Sequence, residues 1–183
     1  DKLEQRDDIL SDCLDPIENS DFFNYAISCL LVNNDKITYA LIRFISYMVF
    51  VSSDFTQIIC KNGFLNQIYG IFYQQMNSNS PYSPPIIKYF FSLFGYICAD
   101  KPSWLFQMAQ LGVLPFCEKV LLDYISDVDL ILSIMRSLEE MFSIFNDKES
   151  TQTFSYPQIS SLFHTLKIIL ASLIIKKADQ QSQ

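Results

Sequence analysis

Glycine is nearly missing from this chain, which has only four, at positions 63, 70, 95 and 112. Sandwiches and barrels turn many times and spend glycine at their tight turns, so this scarcity argues against an all-β fold. No Gly-x-Gly occurs, and with it goes the loop whose backbone cradles a phosphate. Histidine occurs once, as His164, and no Cys-x-x-Cys is present, so zinc ligands at workable spacing are absent. Catalysis needs a base and a nucleophile held together, and His164 stands without a recognisable nucleophile. Glu139 and Glu140 are adjacent, so on a helix they point about 100° apart rather than facing one another. Asp127-Val128-Asp129 lacks the further oxygens and the glycine of a calcium loop and suits a helix cap better. The expectation is a non-enzymatic protein with no catalytic, cofactor-binding or metal-binding residue.

Clusters of lysine and arginine are missing too. The chain carries 13 basic and 20 acidic residues, a net charge of −7. Phosphate binding needs clustered cations that release counterions, so nucleic acid is not an expected partner, and a nucleic-acid-binding helical repeat stays a lesser alternative. Eight of the acids fall in the first 21 residues, against Lys2 and Arg6. Such a segment is a solvated face or a contact for a basic partner. Cys13, Cys29, Cys60, Cys98 and Cys117 are odd in number, widely spaced and mostly flanked by apolar residues. They read as reduced core thiols and point to an intracellular location, cytoplasmic or nuclear. Charge interrupts the long apolar runs: Arg43 in 37–51, Lys88 in 84–99, His164 and Lys167 in 162–175. No membrane span is therefore expected. The chain opens on Asp1 without a signal-peptide pattern, so residue 1 is expected to be a boundary or a processed end.

What is present is apolar periodicity, in a chain of 183 residues that is 50% hydrophobic. Residues 37–72 lie on residues 86–121 at a constant offset of 49, without a gap. Ile37, Leu41, Phe44, Ile45 and Met48 fall on Ile86, Phe90, Leu93, Phe94 and Ile97, all at helical spacing. Phe55 and Ile59 fall on Trp104 and Met108, and Gly63 falls on Gly112. Phe64, Leu65, Ile68, Ile71 and Phe72 then fall on Val113, Leu114, Cys117, Val120 and Leu121. An offset of 48 from the second copy brings in Ile134, Leu138, Met141, Phe142 and Phe145 as a third. Each unit reads as a short helix ending at a glycine, a middle helix, a loop and a long helix. A glycine at each corner supplies the positive φ that a sharp turn between helices needs. Ser53-Asp54, Ser83-Pro84-Pro85 and Ser126-Asp127 offer capping oxygens, and Pro84 and Pro102 suit a first turn. Asn77 to Ser83 reads as a surface loop.

A short helix, a glycine corner, a middle helix and a long third helix, recurring every forty-odd residues, resembles the armadillo repeat family. The segments 54–65 and 103–114, centred on Gly63 and Gly112, are similar to that family's junction between first and second helices. The resemblance implies an all-α fold, a right-handed α-solenoid of three-helix repeats, although an irregular helical bundle fits the composition equally well. The expected units are about 21–51, 54–99, 102–145 and 150–177, after an acidic segment 1–20 and before a polar tail 178–183.

Third helices of that family line a concave groove for extended peptides. The resemblance places Arg43, Tyr47, Lys88, Ser92, Tyr96, Arg136 and Glu140 on such a floor, and it implies a scaffold that binds a partner protein or peptide, possibly basic. Family members that carry nuclear-localisation peptides resemble one another in a ladder of Trp and Asn four residues apart. Here the Trp positions hold Arg43, Ser92 and Glu140, and the Asn positions hold Tyr47, Tyr96 and Ile144. Without indole walls and backbone-binding amides, an importin-α-like adaptor for basic peptides is the alternative reading. Partial burial of Tyr47 and Tyr96 between neighbouring long helices is the competing structural explanation.

Overall fold

A computed structural model describes residues 16–17, 21–61, 63–78, 81–101, 103–143 and 156–181. The acidic segment 1–20 apart from 16–17, Cys13, Pro102, Ile144, Phe145 and the start of the expected fourth unit lie outside the described residues. Among those described there are nine helices and no strand. They are α1 (Phe22–Leu31), α2 (Asp35–Val51), α3 (Ser53–Lys61), α4 (Phe64–Met76), α5 (Pro84–Asp100), α6 (Trp104–Leu111), α7 (Val113–Asp123), α8 (Val128–Phe142) and α9 (Tyr156–Gln181).

Local chemistry sets the boundaries. The Asn34 side chain accepts from the amides of Lys36 and Ile37 and so starts α2, a cap the sequence reading passed over. Asp127 caps α8 by accepting from the Leu130 amide at 2.9 Å, as expected of it. At α3 the cap is Ser52, not Ser53. The Ser52 hydroxyl accepts from the Phe55 amide at 3.1 Å, while Ser53 Oγ donates to Asp100 Oδ2 at 3.0 Å, tying α3 to the end of α5. Gly63 (φ 63°) and Gly112 (φ 77°) both adopt the left-handed conformation, at the α3–α4 and α6–α7 corners. For a residue with a Cβ that conformation costs about 1–2 kcal/mol, which is why glycine stands at both.

The long helices α2, α5 and α8 pack in series, with α5 in the middle. Behind them α1 packs on α4 and α7 packs on α9, while Tyr69 and Tyr73 of α4 meet Phe116 of α7. The core between the two layers is aromatic. Phe90 stacks on Phe72 with centroids 4.1 Å apart and meets Phe94 edge-on at 4.7 Å, so one side chain joins α4 to the interior of α5. Truncating a wholly buried phenylalanine of this kind costs about 3–5 kcal/mol.

Several expectations need correction. Ile37 and Phe44 of α2 remain 42% exposed, whereas their counterparts Ile86 and Leu93 on α5 are fully buried. Periodicity puts them on the inner stripe, but among the described residues α2 has another long helix on one flank only. Cys29 is exposed rather than a core thiol, because it sits beside and not on the stripe of Phe23, Ala26 and Leu30 that α1 buries. Within the loop 77–83, Tyr82 is buried against Phe72, and its carbonyl accepts from the Tyr124 hydroxyl at 3.2 Å. An aromatic ring in a polar stretch has found the core, so this part of the loop is anchored rather than free. A single helix, α9, fills 156–181 and takes in most of the expected polar tail.

Lys167 is the one formal charge in the stretch Gln158–Ile175 of α9. One lysine in eighteen residues leaves its mean hydropathy at 1.6, long and apolar enough by length and composition to cross a bilayer, with only 17% of it buried. Ser161 Oγ donates to Glu118 Oε2 at 2.7 Å and ties this helix to α7.

Candidate functional site

Among the described residues, one face of the α2–α5–α8 row is left uncovered and forms an open cleft of about 850 Å³. All seven residues expected on a groove floor line it: Arg43 and Tyr47 from α2, Lys88, Ser92 and Tyr96 from α5, Arg136 and Glu140 from α8. They meet there because inner and outer positions alternate along each helix. Ile42, Ile45 and Val49 turn into the core of α2, which leaves 39, 40, 43 and 47 on the opposite side.

Sequence reasoning missed Tyr39, Ala40, Phe44, Ser46, Phe50, Tyr89, Ser133 and Ser137, which line the cleft as well. The signal for several of them was available. Tyr39 is the 49-residue counterpart of Lys88, and Ala40, Tyr89 and Ser137 occupy one equivalent position in the three copies. The cleft is thus built in rungs across the row: Tyr39, Lys88, Arg136; then Ala40, Tyr89, Ser137; then Arg43, Ser92, Glu140. Tyr47 and Tyr96 form a fourth rung, whose third position, Ile144, lies outside the described residues.

Aromatic pairs join α2 to α5 at both ends of the cleft. Tyr39 meets Tyr89 edge-on at 5.7 Å, and Phe50 meets Tyr96 at 5.0 Å. Each such pair contributes about 0.5–1.5 kcal/mol beyond the area it buries. Tyr96 is accordingly half-buried, whereas Tyr47 stays 59% exposed, so partial burial accounts for one of the two tyrosines and not the other.

Gly95 governs the α5–α8 side. A Cβ there would stand 3.2 Å from the Ser137 Cα and carbonyl oxygen and 2.7 Å from Glu140 Oε2. The missing side chain lets the two helices close, and the Glu140 carboxylate occupies the room it leaves. Burial, with a smaller contribution from neighbouring Glu139, raises the Glu140 carboxyl above its usual value. The Tyr96 hydroxyl is raised in turn by burial, then by Glu140 and by Tyr89.

Among the described residues the cations of the cleft form no ion pair. Arg43 lies over the Tyr39 ring at 5.9 Å, and Arg43, Lys88 and Arg136 are all exposed. Ion pairs among the described residues join Lys101 to Asp100 and Lys119 to Asp123, away from the cleft, and none involves these three. Arg136 does not pair even with Glu140, one turn along its own helix.

Among the described residues no group of three or more His, Cys, Asp or Glu side chains is placed to hold a metal. His164 is exposed on α9, remote in sequence from every residue of the cleft. Glu139 and Glu140 face different surroundings: Glu139 lines a second, apolar cleft of about 400 Å³ between α8 and α9, with Met135, Phe142 and Phe163. Trp104 is partly buried against the core, at the position where Phe55 is wholly buried. No protein-family model, curated protein or solved structure matches the chain.

Proposed function

We propose that the chain is a non-enzymatic scaffold whose α2–α5–α8 cleft binds a partner protein or peptide, and that its helices form an armadillo-like, right-handed solenoid. The observation that carries the binding reading is one cleft lined by all three long helices with large side chains that packing does not use, Arg43, Tyr47 and Arg136 foremost. Side chains free of the core can serve a partner without disturbing the fold, and tyrosine and arginine are enriched where binding energy concentrates. The solenoid reading is supported by the ungapped 49-residue match, by the two left-handed glycines at matching positions and by the serial packing of the long helices. An intracellular setting accords with four unpaired cysteines among the described residues.

The test takes a partner recovered by affinity purification with the full chain and compares two variants. Tyr47→Ala with Tyr96→Ala removes both tyrosines from the cleft; deletion of residues 1–20 removes the acidic segment. Loss of two hot-spot side chains weakens binding by about 30-fold or more, equivalent to roughly 2 kcal/mol. Normal binding by a folded double alanine variant, together with loss of binding on truncation, would move the function to the acidic segment.

A further inference from the structure

We infer that the cleft takes an extended, acidic peptide, one whose carboxylates meet Arg43, Lys88 and Arg136. The inference rests on the reading of the cleft as the partner site and adds the chemistry of its occupant. Charge complementarity carries it. The chain as a whole has a net charge of −7, yet the residues lining this cleft include three cations and one carboxylate. Each of the three long helices contributes one cation, and among the described residues none of the three is in an ion pair.

Three cations that share a cleft without an ion pair among the described residues give it a local field opposite in sign to the net charge of the chain. Such a field draws acidic segments to the cleft and turns basic ones away. The one carboxylate present offsets at most one of the three cations, and Glu140 is drawn down over Gly95 and partly desolvated. A basic partner, anticipated from the acidic segment at the start of the chain, would meet like charge here.

Geometry agrees with an extended chain. Packed helices lie about 8–10 Å apart, so three of them are crossed by about six to eight extended residues. Between the cations lie Tyr39, Tyr47, Tyr89 and Tyr96, whose rings give apolar area and whose hydroxyls can hydrogen-bond a peptide backbone. A peptide suits this surface better than a nucleic acid. A polynucleotide brings a phosphate at every step and needs a longer track of cations than three, and the remainder of the chain repels it.

The experiment displays a random peptide library of about ten residues and selects it on the full chain. Selected peptides are then measured against the unaltered chain, against Lys88→Glu with Arg136→Glu, and against Tyr47→Ala with Tyr96→Ala. All four positions except Tyr96 are exposed, and circular dichroism verifies that each variant is folded. The expected result is enrichment of Asp and Glu, a loss of about tenfold or more in both variant pairs, and weakening by salt. Enrichment of basic or neutral peptides that still depend on Tyr47 and Tyr96 overturns the acidic occupant and leaves the cleft reading standing. Peptides whose binding neither variant pair alters, or failure to select any, overturn both. An oligo-dT strand of about twenty nucleotides bound more tightly than the selected peptides overturns the inference in favour of a nucleic-acid occupant.

Discussion

Gly70 and Gly95 both lie inside helices, α4 and α5, and replacing each with alanine should move stability in opposite directions. Alanine in a helix interior gains about 0.5–1 kcal/mol over glycine through the entropy of the unfolded chain. At Gly70 nothing lies within 4 Å of the new methyl group, so that gain is kept. At Gly95 the methyl would stand 3.2 Å from the Ser137 Cα and carbonyl oxygen and 2.7 Å from Glu140 Oε2. The carboxylate can swing aside, but Ser137 is backbone in the middle of α8 and moves only with that helix. Overpacking of this kind costs about 1–3 kcal/mol, which exceeds the helix gain and leaves a net loss near 1 kcal/mol. The two variants should then differ by about 2 kcal/mol, or about 4–8 °C in melting temperature for a chain of this length. Thermal and urea unfolding followed by circular dichroism measure it. A shift of both variants in the same direction would refute the close approach of α5 and α8 at Gly95.

Three further perturbations address the cleft, the corners and the thiols. Glu140 has its carboxyl raised in the fold, first by burial and then by Glu139, so its contribution to stability is present in acid and lost as pH rises through the raised value. Glu140→Gln should therefore raise the melting temperature at about pH 8 and leave it nearly unchanged at about pH 4, and an equal shift at both would contradict the assignment. Gly63→Ala and Gly112→Ala should each lose about 1–2 kcal/mol in urea unfolding, with Asn milder at both, because positive φ and not crowding is the obstacle at Gly63. Neutral alanines there would refute the left-handed corners. Burial pushes the thiols of Cys60 and Cys98 up to about 12 and raises that of Cys117, while Cys29 is exposed. Iodoacetamide labelling read by peptide mass spectrometry at about pH 8 should modify Cys29 first among the four described cysteines, with Cys98 on the order of a thousandfold slower, and equal rates would refute the burial.

How legible all this was in the amino-acid sequence depended on what kind of interaction placed each residue. Helices, their order and the two glycine corners were legible because period, caps and positive φ are local demands written in single residues such as Gly63 and Gly112. The seven cleft residues were legible because a position that is outer on α2 is outer on its counterparts in α5 and α8. What escaped were contacts between distant elements. Periodicity placed Ile37 and Phe44 on the core stripe but says nothing about whether a neighbour covers them. Tyr82 sat in a polar stretch, and its pocket against Phe72 and Tyr124 exists only once α4 and α7 are together. Ser52 and Ser53 are adjacent and chemically alike, so only geometry assigns the cap to the first and the bond to Asp100 to the second. Gly95 was silent for a different reason: its role is to be small beside Ser137, and an absent side chain leaves no apolar mark.

The middle place of α5 also shapes how the molecule opens. α5 is flanked by α2 on one side and α8 on the other and buries nine residues, including Ile86, Phe90, Phe94 and Cys98. By contrast α2 has an exposed flank at Ile37 and Phe44, and little of the stretch Gln158–Ile175 of α9 is buried. In a row held together by neighbour contacts, an outer helix can detach while the remainder stays folded, and its amides then exchange with solvent through that local event. The amides of α5 have no such shortcut and exchange only when the row itself comes apart. Protection should therefore peak at α5 and decline toward both ends, so that the floor of the cleft is slowest to open at its centre and its α2 wall is first to loosen.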